Sequence, residues 1–156
     1  MSRRDKNKNS PEVVVILPYR GNRVLMQLRD FKSDIVFPGQ WGFFGGSIEN
    51  GEKPKEAAWR ELFEEISYKP DTLHKLDTAI IPEIDKIILH SFFCPLTTSV
   101  EELVLNEGLD FGLFTLEEIM TKKLFSQKMG RFFPVVPVDH IVITIKKLFN
   151  HLKENE

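Results

Sequence analysis

The sequence predicts an α/β (α+β) fold, a sheet packed against helices. Three observations predict it. Two β-branched, apolar runs stand near the start, EVVVILPY (12–19) and RVLMQLRD (23–30). A proline-led segment with helical spacing follows from Pro54. Two further strand-like runs and a second helix-spaced segment complete the chain. Strands, helix, strands, helices is the order of a layered sandwich.

Each element has a local reason. The first two runs carry the β-branched and apolar residues that suit a pleated surface, and the turn Arg20-Gly21-Asn22 joins them as a hairpin. FKSDIVFPGQ (31–40) contains a Pro-Gly turn and reads as a loop. Trp41 to Phe44 is a short aromatic strand that ends in Gly45-Gly46. Pro54 opens a helix at its first turn, where a missing N–H costs nothing, and the helix runs to about Ser67. TLHKLDTAII (72–81) and KIILHSFFCPL (86–96) read as strands, 97–108 as a polar loop, and Leu109–Phe114 as a short strand. Thr115 with Glu118 forms a capping box for a short helix, TLEEIMTK. In the last segment Ile141, Ile145, Leu148, Phe149 and Leu152 keep helical spacing, so it is read as helix with Asp139 as its cap.

The 156 residues suit one domain, expected over 11–156, after a basic, polar and disordered tail at 1–10. That tail lacks the apolar stretch of a secretory signal. With 42% hydrophobic residues and 13 Phe, the chain can fill a core. A net charge of −2 gives no basic field to hold a nucleic-acid polymer, although it leaves a single nucleotide open as a ligand. No apolar run is long enough to span a membrane, so no membrane partner is expected. The lone Cys94, in an apolar run, reads as an inert buried thiol in a reducing, cytoplasmic compartment. Monomer and homodimer both remain open.

The stretch GFFGGSIENGEKPKEAAWRELFEE (42–65) concentrates acid on one turn and helix. At about 100° per residue, Ala58, Trp59, Leu62, Phe63 and Ile66 share an arc, and Glu61, Glu64 and Glu65 group on the opposite side. Like charges at such spacing repel. A solvated acidic face is the bland reading. A site for a hard divalent cation is the sharper one, because carboxylate oxygens are its ligands and the cation removes the repulsion. The glycine pair before the helix favours the second reading, since it lets backbone come close to a ligand.

These residues resemble the box of the Nudix (MutT-type) hydrolases: Gly46, then Glu52, Arg60, Glu61, Leu62, Glu64 and Glu65 at the family's spacing. Ser67 stands where the family has glycine, and Tyr68 where it usually has an aliphatic residue. The approach, LMQLRD, a loop, then WGFFGG, is similar too. The resemblance implies an α/β/α sandwich with a mixed sheet. It implies cleavage of a nucleoside diphosphate linked to another moiety, with Mg²⁺ or Mn²⁺. It makes Glu61, Glu64, Glu65 and the Gly45 carbonyl metal ligands, has Arg60 orient the glutamates, and leaves Gly46 and Glu52 to brace loop and helix. NEGLDFGLF (106–114) resembles a loop that carries a further acid in one branch, which selects Glu107, with Glu101, Glu102 and Asp110 as competitors. Glu107, Glu64 and Glu61 are the candidates for general base.

The substrate is read as a (d)NTP-type small molecule. ADP-ribose or a nucleotide sugar is the alternative, with Pro82 as its one hint, and a nucleotide-sensing domain without catalysis is another. Arg29 and Phe44 are the expected substrate contacts, Phe43 and Phe111 further stacking candidates, and 125–137 a flank of the pocket. An isomerase acting on allylic diphosphates would want a reactive cysteine, which Cys94 does not supply.

Overall fold

The computed structural model describes residues 11–155; the stretch 1–10, expected as a tail, lies outside them. In order the elements are β1 (Glu12–Arg20), β2 (Arg23–Leu28), β3 (Trp41–Gly42), β4 (Phe44–Ser47), α1 (Pro54–Ile66), β5 (His74–Ile81), β6 (Ile87–Pro95), β7 (Asp110–Thr115), α2 (Leu116–Met120), β8 (Lys123–Ser126), β9 (Arg131–Pro134) and α3 (His140–Glu154). Strands β1 to β7 build one mixed sheet, in which β1 runs parallel to β6 and antiparallel to β2 and β4. A second, two-stranded sheet is the β8–β9 hairpin.

Side-chain alternation along the strands sorts the core into two layers. Val14, Ile16, Leu25, Phe92 and Cys94 face α1 and meet Ala58, Leu62 and Ile66. Leu17, Val24, Met26 and Phe93 face the other way, against Ile141, Ile145 and Leu148 of α3, Ile119 of α2 and Phe133 of β9. The chain is therefore an α/β/α sandwich. Cys94 is fully buried, and burial pushes its thiol up to about 12.

How β1 shares its partners matters for the site. It pairs with β2 only at the hairpin base, Tyr19 with Val24 and Arg20 with Arg23. Over Val13 to Ile16 its partner is β4, with Gly45 opposite Val15 and Gly46 opposite Val14. Beyond the hairpin base, β2 runs between β3 and β7 instead. The glycine pair thus lies in the middle of the sheet rather than in a free loop.

One element was not read in the sequence, and three local readings are corrected. The segment 123–134 is a hairpin, closed at Gly130 (φ +74°) and braced by Asp110, whose Oδ2 accepts from Ser126 Oγ (2.7 Å) and from the Lys128 N–H (3.2 Å). Strand β2 stops at Leu28, before Arg29 and Asp30. Asp139 sits at the start of α3, but with helical backbone and no side-chain capping bond. Phe63, expected on the docked face of α1, is 45% exposed, with Lys69 over its ring. Among the described residues no helix is long and apolar enough to cross a membrane.

Candidate active site

Helix α1 is turned further than its apolar residues alone suggest. Its buried residues are Ala57, Ala58, Leu62, Glu65 and Ile66, so one carboxylate lies under the helix against the sheet. Glu65 is 2% exposed. Its Oε1 accepts from Gln27 Nε2 (3.0 Å) and its Oε2 from the Gly45 N–H (3.1 Å). Glu61 is mostly buried next to it, and Glu64 is half exposed. The three acids are therefore graded from interior to solvent, not gathered on one exposed face.

Burial raises both inner acids. Desolvation, the Glu61 charge and the Glu61 hydrogen bond push Glu65 up to about 9. Glu61 is raised as well, first by desolvation, while its hydrogen bonds to Glu65 and Arg60 pull the other way. Two touching carboxyls in a dry place hold one proton between them or take a cation.

Arg60 organises the rim. Its Nε donates to Glu52 Oε2 (2.7 Å) and its Nη2 to Glu52 Oε1 (3.0 Å), a two-pronged pair. Nη2 also donates to the Ser47 carbonyl (3.1 Å), and Nη1 to Glu61 Oε2 (3.0 Å) and Glu64 Oε1 (3.3 Å). The Arg60 hydrogen bonds hold Glu52 below its usual value, and Glu52 in turn raises Arg60. The helix start is fixed separately, by Pro54 and by Glu56, which accepts from the Lys53 N–H (2.8 Å).

The glycines serve close approach. A Cβ on Gly45 would overlap the Val14 carbonyl oxygen, and one on Gly46 would run into the Glu61 carboxylate. At the exit of α1, Ser67 takes the left-handed conformation (φ +56°) in the place of the family's glycine, and its Oγ accepts from Asn106 Nδ2 (2.8 Å). Tyr68 is buried and donates to the Pro95 carbonyl (3.0 Å).

Loop 104–109 is stapled to this helix end. The Val104 and Asn106 N–H groups donate to the carbonyls of Ile66 (3.1 Å) and Glu65 (3.0 Å), and that of Leu109 to Leu28 (2.8 Å). The loop places Glu107 close enough to Glu65 for its charge to help raise it. Asp110, a competitor for the same role, is committed to the β8–β9 hairpin.

On the other side of the glycine pair lies a cavity of about 480 Å³. Val13, Val15, Phe43, Ile81, Leu89, Val136 and Ile141 form apolar walls; Arg29, Asp85 and His140 are its ionisable groups, and Gly45 and Gly46 part of its lining. Arg29 Nε donates to the Val36 carbonyl (2.7 Å); burial lowers its pKa and the Glu65 charge raises it. Phe44, expected against the substrate, is fully buried in the layer under α1. The pleat turns its neighbour Phe43 to the cavity instead. Phe111 likewise packs beside the α1 layer.

Among the described residues no group of three or more His, Cys, Asp or Glu side chains stands ready to hold a metal ion. The reason is visible: Glu65 points to Gln27 and Gly45, while Glu61 and Glu64 turn to Arg60. The donor chemistry nonetheless fits a hard divalent cation, because among the described residues the buried Glu65 has no ion-pair partner and the adjacent Glu61 shares its one cation, Arg60, with Glu52 and Glu64.

The NUDIX domain profile matches residues 8–136. The chain belongs to the Nudix family. It is 35% identical over 85 residues to the oxidized purine nucleoside triphosphate hydrolase of Danio rerio, covering 51% of each protein. It is 55% identical over 31 residues to the nucleoside triphosphatase NudI of Escherichia coli, covering 20% of this chain and 22% of that one. This Nudix chain thus spans at most about half the length of these curated relatives. Among solved structures, the MutT NUDIX hydrolase of Burkholderia pseudomallei superposes with a TM-score of 0.65 at 16% identity, over 89% of this chain and 98% of that one. At that identity the likeness establishes the fold.

One residue of the candidate site was missed in the sequence. Gln27 is buried between apolar neighbours and bonded to Glu65. Its signal was present: a lone amide inside the apolar run VLMQL must find a partner.

Proposed function

We propose that this Nudix domain is a divalent-metal-dependent pyrophosphohydrolase, with Mg²⁺ as the working ion and Mn²⁺ as a substitute, acting on a nucleoside triphosphate-type substrate. One observation carries the reading: the raised Glu61–Glu65 pair lies against the glycine floor of an apolar cavity large enough for a nucleoside. The base would enter between Phe43 and the facing valines and isoleucines, with the phosphates over Gly45 and Gly46. Arg29, which lines the cavity and feels the Glu65 charge, would meet a phosphate.

Glu61, Glu64 and Glu65, with the Gly45 carbonyl, would hold the ion, whose chemistry is to offset phosphate charge and acidify water. Arg60 keeps the carboxylates aligned through Glu52 and Ser47. The reaction forms a bond from water oxygen to phosphorus and breaks the phosphoanhydride, and a carboxylate takes the water's proton. Glu64 and Glu107 are exposed acids at this site and so the two best placed for that proton. A triphosphate would give a nucleoside monophosphate and pyrophosphate. The NudI and zebrafish relatives, named for triphosphates, support this substrate class over ADP-ribose.

The test is a panel of ordinary and oxidised (d)NTPs, ADP-ribose and nucleotide sugars, assayed with Mg²⁺ for monophosphate and pyrophosphate. Turnover is expected on triphosphates and its loss with EDTA. Glu64→Gln should reduce kcat by about 10²- to 10⁴-fold, and cost under about 1 kcal/mol of stability because the side chain is half exposed. Nucleotide binding without any cleavage would instead identify a sensing domain.

A further inference from the structure

Gln27 is the last residue but one of β2, with 5% of its surface exposed. Packing alone would be served there by leucine, as at Leu25 and Leu28 beside it. A buried amide must be matched by hydrogen bonds. Both groups that accept from its Nε2 belong to the candidate site. Nε2 donates to Glu65 Oε1 at 3.0 Å and to the Glu107 carbonyl at 3.4 Å. The loop is also shaped to lie on this amide: Gly108 adopts φ +90°, and a Cβ there would come within 3.2 Å of Gln27 Nε2 and 2.8 Å of the Leu28 carbonyl. One side chain from the sheet therefore touches the innermost box acid and the backbone of the residue proposed as the further acid.

We infer that Gln27 is a positioning residue that fixes the distance between the α1 carboxylates and the Glu107 loop, and so sets the geometry in which a divalent ion is taken up. The inference rests on the reading of Glu61, Glu64 and Glu65 as metal ligands. Its logic is that of a group behind the ligands: it supplies neutral N–H bonds that aim a carboxylate without competing for the cation. Backbone bonds hold the loop at Asn106 and Leu109, and Asp30 Oδ2 accepts from the Gly108 N–H (3.2 Å). Between those ends Gln27 is the side chain that joins loop to acid.

The experiment compares the native chain with Gln27→Met, which keeps length and removes the donors, and with Gln27→Glu, which keeps shape and reverses the Nε2 end to an acceptor. Hydrogen exchange is followed at the amides of Asn106, Gly108 and Leu109, and Mn²⁺ uptake by the resonance of the free ion. Exchange at these amides is expected to quicken by about 3- to 10-fold in both variants, the loss of one modest hydrogen bond. Mn²⁺ affinity in Gln27→Met should fall by roughly 10- to 100-fold, as for other groups that orient metal ligands. On a turned-over nucleotide kcat should fall with it while KM stays within about 2-fold, because the cavity walls are untouched. Native exchange at the three amides, or native Mn²⁺ affinity in Gln27→Met, overturns the inference. If the native chain takes up no Mn²⁺, the metal reading falls, and the exchange measurement alone decides the tie between Gln27 and the loop. Should Gln27→Met not fold, Gln27→Glu decides the same point by exchange.

Discussion

The acid pair makes the metal-free protein sensitive to mild alkali. Glu65 titrates near 4.5 when unfolded and is pushed up to about 9 when folded. Between those values the folded state holds a proton that the unfolded state has released, so stability falls as pH rises. One proton is worth about 1.4 kcal/mol per pH unit. From about pH 7 to about pH 8.5 the loss is therefore close to 2 kcal/mol, or roughly 4–8 °C in Tm for a chain of this size. Glu61 is raised with it and shares the same proton, and the remaining shifted carboxyl, imidazole, thiol and phenol groups act outside the window. Glu52 and Asp77 are lowered and act in acid, and His140, lowered by burial, acts mainly below about pH 7 and with the opposite sign. Cys94 and Tyr19 are raised and act above about pH 9. The assay is thermal unfolding by circular dichroism in EDTA at fixed ionic strength. The fall should vanish in Glu65→Gln. Mg²⁺ should stabilise the native chain more at the upper pH, because it replaces a proton that is harder to keep there. A Tm that stays level across the window in EDTA, or a fall that persists in Glu65→Gln, refutes the reasoning.

Other expectations are shorter to state. Phe44→Ala should cost about 3–5 kcal/mol in urea unfolding, as for any large core deletion, whereas Phe43→Leu should cost about 1.5 kcal/mol or less and raise the nucleotide KM by roughly 5-fold or more through lost stacking. An unchanged nucleotide KM in Phe43→Leu would contradict the placement of Phe43 against the base. Ser67→Gly should stabilise by roughly 0.5 kcal/mol in the same assay, since relief of the left-handed backbone outweighs the exposed bond from Asn106; destabilisation would show that the Asn106 bond wins.

Much of the sandwich could be read from local chemistry. The β1–β2 hairpin follows from two β-branched runs around Arg20-Gly21-Asn22, and α1 from Pro54 and its spacing. The short helix α2 begins where Thr115 and Glu118 predicted, with Thr115 Oγ1 accepting from the Glu118 N–H at 3.1 Å. The β8–β9 hairpin was not read, because its strands are short and amphipathic and its anchor, Asp110, lies 16 residues before Ser126 at the start of the turn. Asp139 failed as a cap for a different reason: the chain enters α3 already helical, so the side chain is not aimed at the first N–H groups.

The rotation of α1 is the instructive error. Spacing placed Phe63 inward and Glu65 outward, because a helix with one greasy arc is expected to bury all of it. The structure exposes Phe63 and buries Glu65, an exchange that hydrophobic transfer alone opposes by a few kcal/mol. Something must oppose that cost, and the groups around Glu65 are polar and directed at it: the Gly45 N–H, the Gln27 amide and the shared proton with Glu61. Gln27 breaks the same polar-outward rule on the strand opposite. Two violations that satisfy each other do not behave as accidents of packing; local rules fail together where a site has been built at the expense of the core. The bias toward apolar burial that made the rest of the fold legible is thus what hid Gln27 and the burial of Glu65, a residue the sequence had already singled out as a ligand. A buried amide in one element facing a buried acid in a helix of matching register is the pattern that would have revealed them.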